Sequence, residues 1–181
     1  MASRHACIAV RIGGLAPYLM HAFGEDPSKG STPEQAAERA AYRNKDGNLY
    51  LPGNAVAFAL RKVLTQRGVQ NGTVYVSPYE IEFLKPGTSE PIREYNVDSR
   101  YVVLPRSRER VMRHRPILPE WEAEFVIRVN PTKVSLDLLR EALDEMGEDN
   151  GLGDYRPEKG GQFGTFRVLK WTEVKEEEVQ P

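Results

Sequence analysis

Cysteine is nearly absent: the 181 residues hold one, Cys7. A single thiol forms no internal disulfide, so nothing points to an oxidising compartment. Long apolar runs are missing too. No stretch reaches the roughly 18 residues that a membrane helix needs, and residues 1–8 lack the apolar core of a signal peptide. A cytoplasmic protein without membrane contact is expected. Histidine is scarce, and His5, His21 and His114 stand far apart. With one cysteine, no zinc-type ligand set is written here, so neither a metal nor a cofactor is expected. Net charge is only −1, which excludes a protein coated in positive charge. What remains is an ordinary globular composition, at a length that builds a core without disulfide or metal staples.

The apolar spacing is legible along most of the chain. Residues 6–12 are β-branched and apolar and predict a buried first strand, bent at Gly13 and Gly14 and continued by residues 15–20. Residues 24–31 are loop-like. Thr32, Pro33 and Gln35 make a capping box for a short helix over 34–42. Leu49 to Leu51 is a brief apolar segment. Asn54 is the expected cap of a second helix carrying Val56, Ala59, Leu60, Val63 and Leu64, closed by Gly68. Asn71-Gly72 reads as a turn, and residues 73–76 and 80–84 as strands. Residues 122–129 alternate like a strand, with Ala123, Phe125, Ile127 and Val129 on one face. Ser135 caps a third helix with Leu136, Leu139, Leu143 and Met146 at helical spacing. Residues 165–171 form the last strand. This order of strands and helices predicts a single α+β domain over 1–181, of the ferredoxin-like type.

Two segments break the pattern. Residues 85–119 carry Pro86, Pro91, Pro105, Pro116 and Pro119, and within them residues 100–115 hold a run of arginines, Arg100, Arg106, Arg108, Arg110, Arg113 and Arg115, against one acid, Glu109. Short strands over 101–104 and 110–113 around the tip at 105–109 predict a hairpin that projects from the core. Like charges at this density repel unless an anion neutralises them, and Tyr95, Tyr101 and Met112 add stacking or wedging surface. The competing readings are a solvated ribbon and a surface for an acidic protein. The second segment, residues 151–164, holds five glycines, with Tyr155, Arg156, Lys159 and Phe163 among them. It is no dinucleotide fingerprint, because it follows a helix and precedes a strand. Residues 29–31 form no phosphate loop either. Gly160 and Gly161 would let backbone amides approach a phosphate; a plain connection is the alternative.

Residues 49–61, LYLPGNAVAFALR, and residues 151–168, GLGDYRPEKGGQFGTFRV, together resemble the RAMP superfamily of CRISPR-associated proteins. The resemblance implies an RNA-recognition-like core, a C-terminal glycine-rich loop, and a thumb at 85–119 that wedges between nucleotides and meets the neighbouring subunit. Backbone-forming members line a guide RNA as a helical filament in antiviral effectors, beside other effector subunits. Arg61 would then face the RNA backbone. Cleaving members carry an aspartate in the loop after the first strand, where Glu25 and Asp26 stand; another branch processes RNA with a histidine, here His21 or His5. The serine usual after Pro-Gly is Asn54, and the chain is short for a backbone subunit. A diverged phage or mobile-element relative would bind single-stranded DNA instead. The expected function is non-catalytic binding of single-stranded nucleic acid, RNA first, with self-association along the strand. The expected contacts are Arg61, Arg100, Arg106, Arg108, Arg110, Arg113, Arg115, Tyr155, Arg156, Lys159, Gly160, Gly161 and Phe163. An endoribonuclease and a module for an acidic protein partner are the alternatives.

Overall fold

The computed structural model describes residues 5–22, 31–70 and 74–175. Alternation at the start of the chain becomes strand β1 (Ala6–Gly14), with Ile8, Val10 and Ile12 buried. Opposite them in antiparallel register lie Ile127, Phe125 and Ala123 of β8 (Glu122–Val129). Strand β9 (Phe166–Val174) pairs with the other edge of β1. On the far side of β8 run β4 (Val74–Ser77) and β5 (Glu80–Leu84), and β3 (Tyr50–Pro52) adds to β5. Helices α2 (Gly53–Gln66) and α3 (Leu136–Glu145) pack on each other. They bury Val56, Leu60, Val63, Leu139 and Leu143 in one core with the sheet. The architecture is α+β with antiparallel sheets, and β1–α2–β4/β5–β8–α3–β9 is compatible with a ferredoxin-like fold. Among the described residues no helix is long and apolar enough to cross a membrane.

A second antiparallel sheet of three strands stands beside the first. Its order is β2 (Tyr18–Leu19), β7 (Arg110–Leu118) and β6 (Asn96–Val103). Helix α1 (Pro33–Arg39) packs on β6 and β7, and Thr32 and Gln35 form the expected capping box. The helix ends before residue 42, because Tyr42 turns away to accept a hydrogen bond from the Tyr50 amide. Helix α3 starts at the expected Ser135 cap.

Three sequence expectations are corrected. The first strand does not continue through residues 15–20: it stops at Gly14, and the chain crosses to the second sheet as β2. Asn54 does not cap α2. The helix starts one residue earlier, at Gly53, directly from β3 and without a side-chain cap. The Gly53 amide donates to the Tyr79 carbonyl at 2.6 Å, and a Cβ there would sit 2.5 Å from the Pro78 oxygen. Only glycine allows that approach. Third, residues 85–119 do not all project. Ile92 is buried, donates to Phe83 and accepts from Leu49, and both hairpin strands are longer than expected, with Leu118 buried at the root.

Trp121 joins the two sheets. It is 1% exposed, donates from Nε1 to the Ala16 carbonyl at 3.0 Å, and meets Tyr18, Phe83 and Phe166 at centroid distances of 5.5–6.5 Å. Trp121→Ala empties this junction and should cost about 3–5 kcal/mol, read as a lowered urea midpoint. A change below about 1 kcal/mol would show that the junction is not part of the cooperative core.

Candidate nucleic-acid interface

Direct opposition in β6 and β7 puts Asp98 across from Arg115, Arg100 across from Arg113, and Val102 across from Val111, all on one face. That face meets the glycine-rich loop. Arg100 is held by Asp98, at 2.7 Å from Nε and 2.5 Å from a terminal nitrogen. Its guanidinium carbon lies 5.0 Å from the ring centres of both Tyr155 and Phe163. A cation over two aromatic faces is a favourable contact. Tyr155 reaches this place from left-handed backbone, φ 54°, which is unusual for a bulky residue.

Arg115 is buried, 3% exposed, and not part of the exposed ribbon that the sequence predicts. It donates to Asp154 of the loop and lies 3.8 Å from Asp98. Its Nε makes no hydrogen bond. Arg113 is half-buried, with a terminal nitrogen 3.4 Å from His21 Nε2. Burial holds the His21 pKa below its ordinary value; Asp154 opposes this, and Arg113 and Arg115 reinforce it. The structure thus brings together Arg100, Arg113, Arg115, Tyr155 and Phe163 from the predicted set, and adds Asp98 and Asp154. Asp154 sits inside the quoted GLGDYR stretch, but a lone acid among glycines gives no sign of its partner 39 residues away.

The other loop residues are used differently from the phosphate-cradle expectation. The amides of Gly160 and Gly161 donate to Pro157 and Arg156, and those of Phe163 and Gly164 to Tyr155 and Pro17. The first three are consumed inside the loop, and the Gly164 amide is spent on the segment before β2. A Cβ at residue 161 would run into the Tyr155 carbonyl, so this glycine serves close packing. Arg156 donates to Glu158 and to the Gly153 carbonyl, both at 2.9 Å. Lys62 of α2 pairs with Glu158 as well. Lys159 is exposed and makes no ion pair among the described residues. Arg61 is not aimed outward either. Its guanidinium donates to the Val74 carbonyl from Nε, at 2.9 Å, and from a terminal nitrogen, at 2.5 Å.

At the hairpin tip the situation reverses. Arg106, Arg108 and Arg110 are exposed, and none has an ion pair among the described residues. Arg110 lies over the Tyr101 ring at 5.3 Å, and Tyr101 and Val103 are 61% and 59% exposed. Tyr95, by contrast, is at the root. It donates to Glu38 at 2.6 Å, and burial with that bond pushes its pKa to about 12. His5 lies at the start of β1, away from this cluster in sequence, and Glu25 and Asp26 lie outside the described residues. Among the described residues no group of three histidine, cysteine or acidic side chains could hold a metal.

No family model and no curated protein matches the sequence. Among solved structures, a chain in "Cryo-EM structure of the Type III-B Cmr-beta bound to cognate target RNA" matches with a TM-score of 0.48 and 13% identity. The match covers 94% of this chain and 61% of that one, so this chain spans less than two thirds of that neighbour's length.

Loss of Arg115 leaves Asp98 with Arg100 and Asp154 partly in water, so the penalty is that of lost charged hydrogen bonds rather than of a fully buried orphan charge. Arg115→Ala should lower stability by about 1–3 kcal/mol in chemical denaturation. Arg106→Ala at the tip should stay within about 0.5 kcal/mol. Equal effects of the two would refute the assignment of buried and exposed roles.

Proposed function

We propose that this protein binds single-stranded nucleic acid, RNA in the first place, without cleaving it. The observation that carries the reading is the hairpin tip. Arg11, Arg43, Arg67, Arg115 and Arg156 are matched by acids of the same chain, whereas Arg106, Arg108 and Arg110 face outward together beside an exposed tyrosine. Unmatched guanidiniums next to a bare aromatic ring suit a phosphate backbone with unstacked bases. The sequence resemblance to the RAMP superfamily agrees, since it assigns residues 85–119 to a nucleic-acid-facing thumb. In this reading Tyr155, Lys159 and Arg113 extend the surface from the tip toward the loop. Gly160, Gly161 and Arg156 shape the loop rather than touch phosphate, and Arg115 aims the hairpin. Self-association along the strand follows from the same resemblance. A net charge of −1 lets copies lie side by side without strong repulsion.

The test is a salt titration of oligonucleotide affinity by fluorescence anisotropy, with wild type and an Arg106→Ala, Arg108→Ala, Arg110→Ala triple variant. Each lost phosphate contact should reduce the slope of log K against log salt by about 0.7 on a single strand. The triple variant should therefore lose about 2 from the slope while melting like the wild type. An unchanged slope would mean that these arginines meet no phosphate, and binding to acidic protein but not to RNA or DNA would favour the alternative.

A further inference from the structure

The hairpin tip does not account for the most exposed aromatic side chain among the described residues. Phe58 of α2 is 71% exposed. A large apolar side chain that is this bare is informative in a way that scattered small ones are not. Its neighbours along the helix, Ala55 and Ala59, are small, so a groove runs beside the ring. The groove deepens into a cleft of about 210 Å³ between α2 and the glycine-rich loop. Tyr42 and Leu152 line it with Phe58, and Lys62, Arg156 and His21 stand among its polar groups beside the loop carboxylates. Two larger hollows, of about 800 and 680 Å³, lie beside residues 85–94 and beside Glu80 and Glu82, but neither is lined by an aromatic side chain.

The size of the cleft limits its ligand. Pockets for drug-sized molecules run to roughly 300–1,000 Å³, so this one has room for a single flat ring system. Aromatic and apolar walls favour such a ring. Lys62 adds a specific donor: its ammonium has three N–H bonds, and Glu158 takes one. The rest can reach a keto oxygen or an adjacent phosphate. The two carboxylates at the cleft are already engaged, Glu158 by Lys62 and Arg156, Asp154 by Arg115. They leave the cleft able to accept an electron-rich edge without uncompensated repulsion. The cleft is also continuous with the proposed interface, because Asp154 lines it and ties the loop to the hairpin root.

We infer that the cleft between Phe58, Tyr42 and the glycine-rich loop is a slot for one nucleobase of the bound strand, held by aromatic contact and read at its edge by Lys62. The slot rests on the proposed binding of single strands, but it can be examined separately. Saturation-transfer NMR with free UMP and GMP asks whether the protein takes a base at all. Transfer should be strongest at the base protons and should fall at least threefold in Phe58→Ala, whose exposed position makes misfolding no explanation. Ala59→Phe, which fills the groove, should do the same. The second measurement replaces one nucleotide at a time in an oligonucleotide with an abasic residue. One position per footprint should lose about tenfold in affinity, the order expected for one stacked base. That penalty should vanish in Phe58→Ala. A flat abasic series with no transfer to base protons overturns the slot, even if the tip arginines bind the strand. Base transfer that Phe58→Ala removes, in a protein that binds no oligonucleotide, supports the slot and sinks the strand-binding reading instead.

Discussion

A guanidinium withdrawn from water must be matched by negative charge, and Arg115 is the place where this protein meets that demand. It is 3% exposed and stands between Asp98 on its own hairpin and Asp154 on a loop 39 residues further along the chain. Much of the molecule's shape follows. Asp154 is also bonded through its backbone to Leu19 of β2, so one buried charge gathers β2, the β6–β7 hairpin and the glycine-rich loop. Arg100 between Tyr155 and Phe163 fastens the same junction from the outer side. The second sheet has three strands and a two-residue β2. A small ribbon of this kind is marginal on its own, and the charged junction and α1 hold it in place.

That arrangement separates two populations of cation. Those at the root are spent on acids, carbonyls or rings of the same chain. Those at the tip meet no acid among the described residues, although Arg110 lies over the Tyr101 ring, and the strands carry them away from the acids that could neutralise them. A nearly neutral protein can therefore present a local positive field where the hairpin ends. The glycines of the loop serve the same division. They close the loop tightly on itself, at the cost of amides that a phosphate would need, and so turn Tyr155 outward against Arg100 instead of cradling an anion.

Elements whose reasons are local were legible in the sequence. The alternation of β1 and β8, the capping box of α1 and the Ser135 cap of α3 each depend on residues within a turn or a strand of one another. Asn54 misled because the start of α2 is decided by Tyr79, which lies 26 residues away, through a contact that only Gly53 permits. The six arginines of residues 100–115 looked alike for a related reason. Which of them is buried depends on Asp98 and Asp154, and strand register across the hairpin settles it only once the hairpin is built. Phe58 carried no signal at all. On a helix whose other large apolar residues face the core, one more phenylalanine reads as core. Glu25 and Asp26 lie outside the described residues, so the catalytic alternative gains nothing from the geometry.

The central claim is that hairpin and glycine-rich loop form one nucleic-acid-facing surface, held together at Arg115. Ultraviolet cross-linking of the protein to a uridine-rich single strand, followed by peptide mapping, addresses this most directly. One surface requires cross-links at Tyr101 of the hairpin and at Tyr155 or Phe163 of the loop within the same complex, with the loop cross-links lost in Asp154→Asn while those at Tyr101 persist. Cross-links confined to other parts of the chain, or an unchanged pattern in Asp154→Asn, would contradict it.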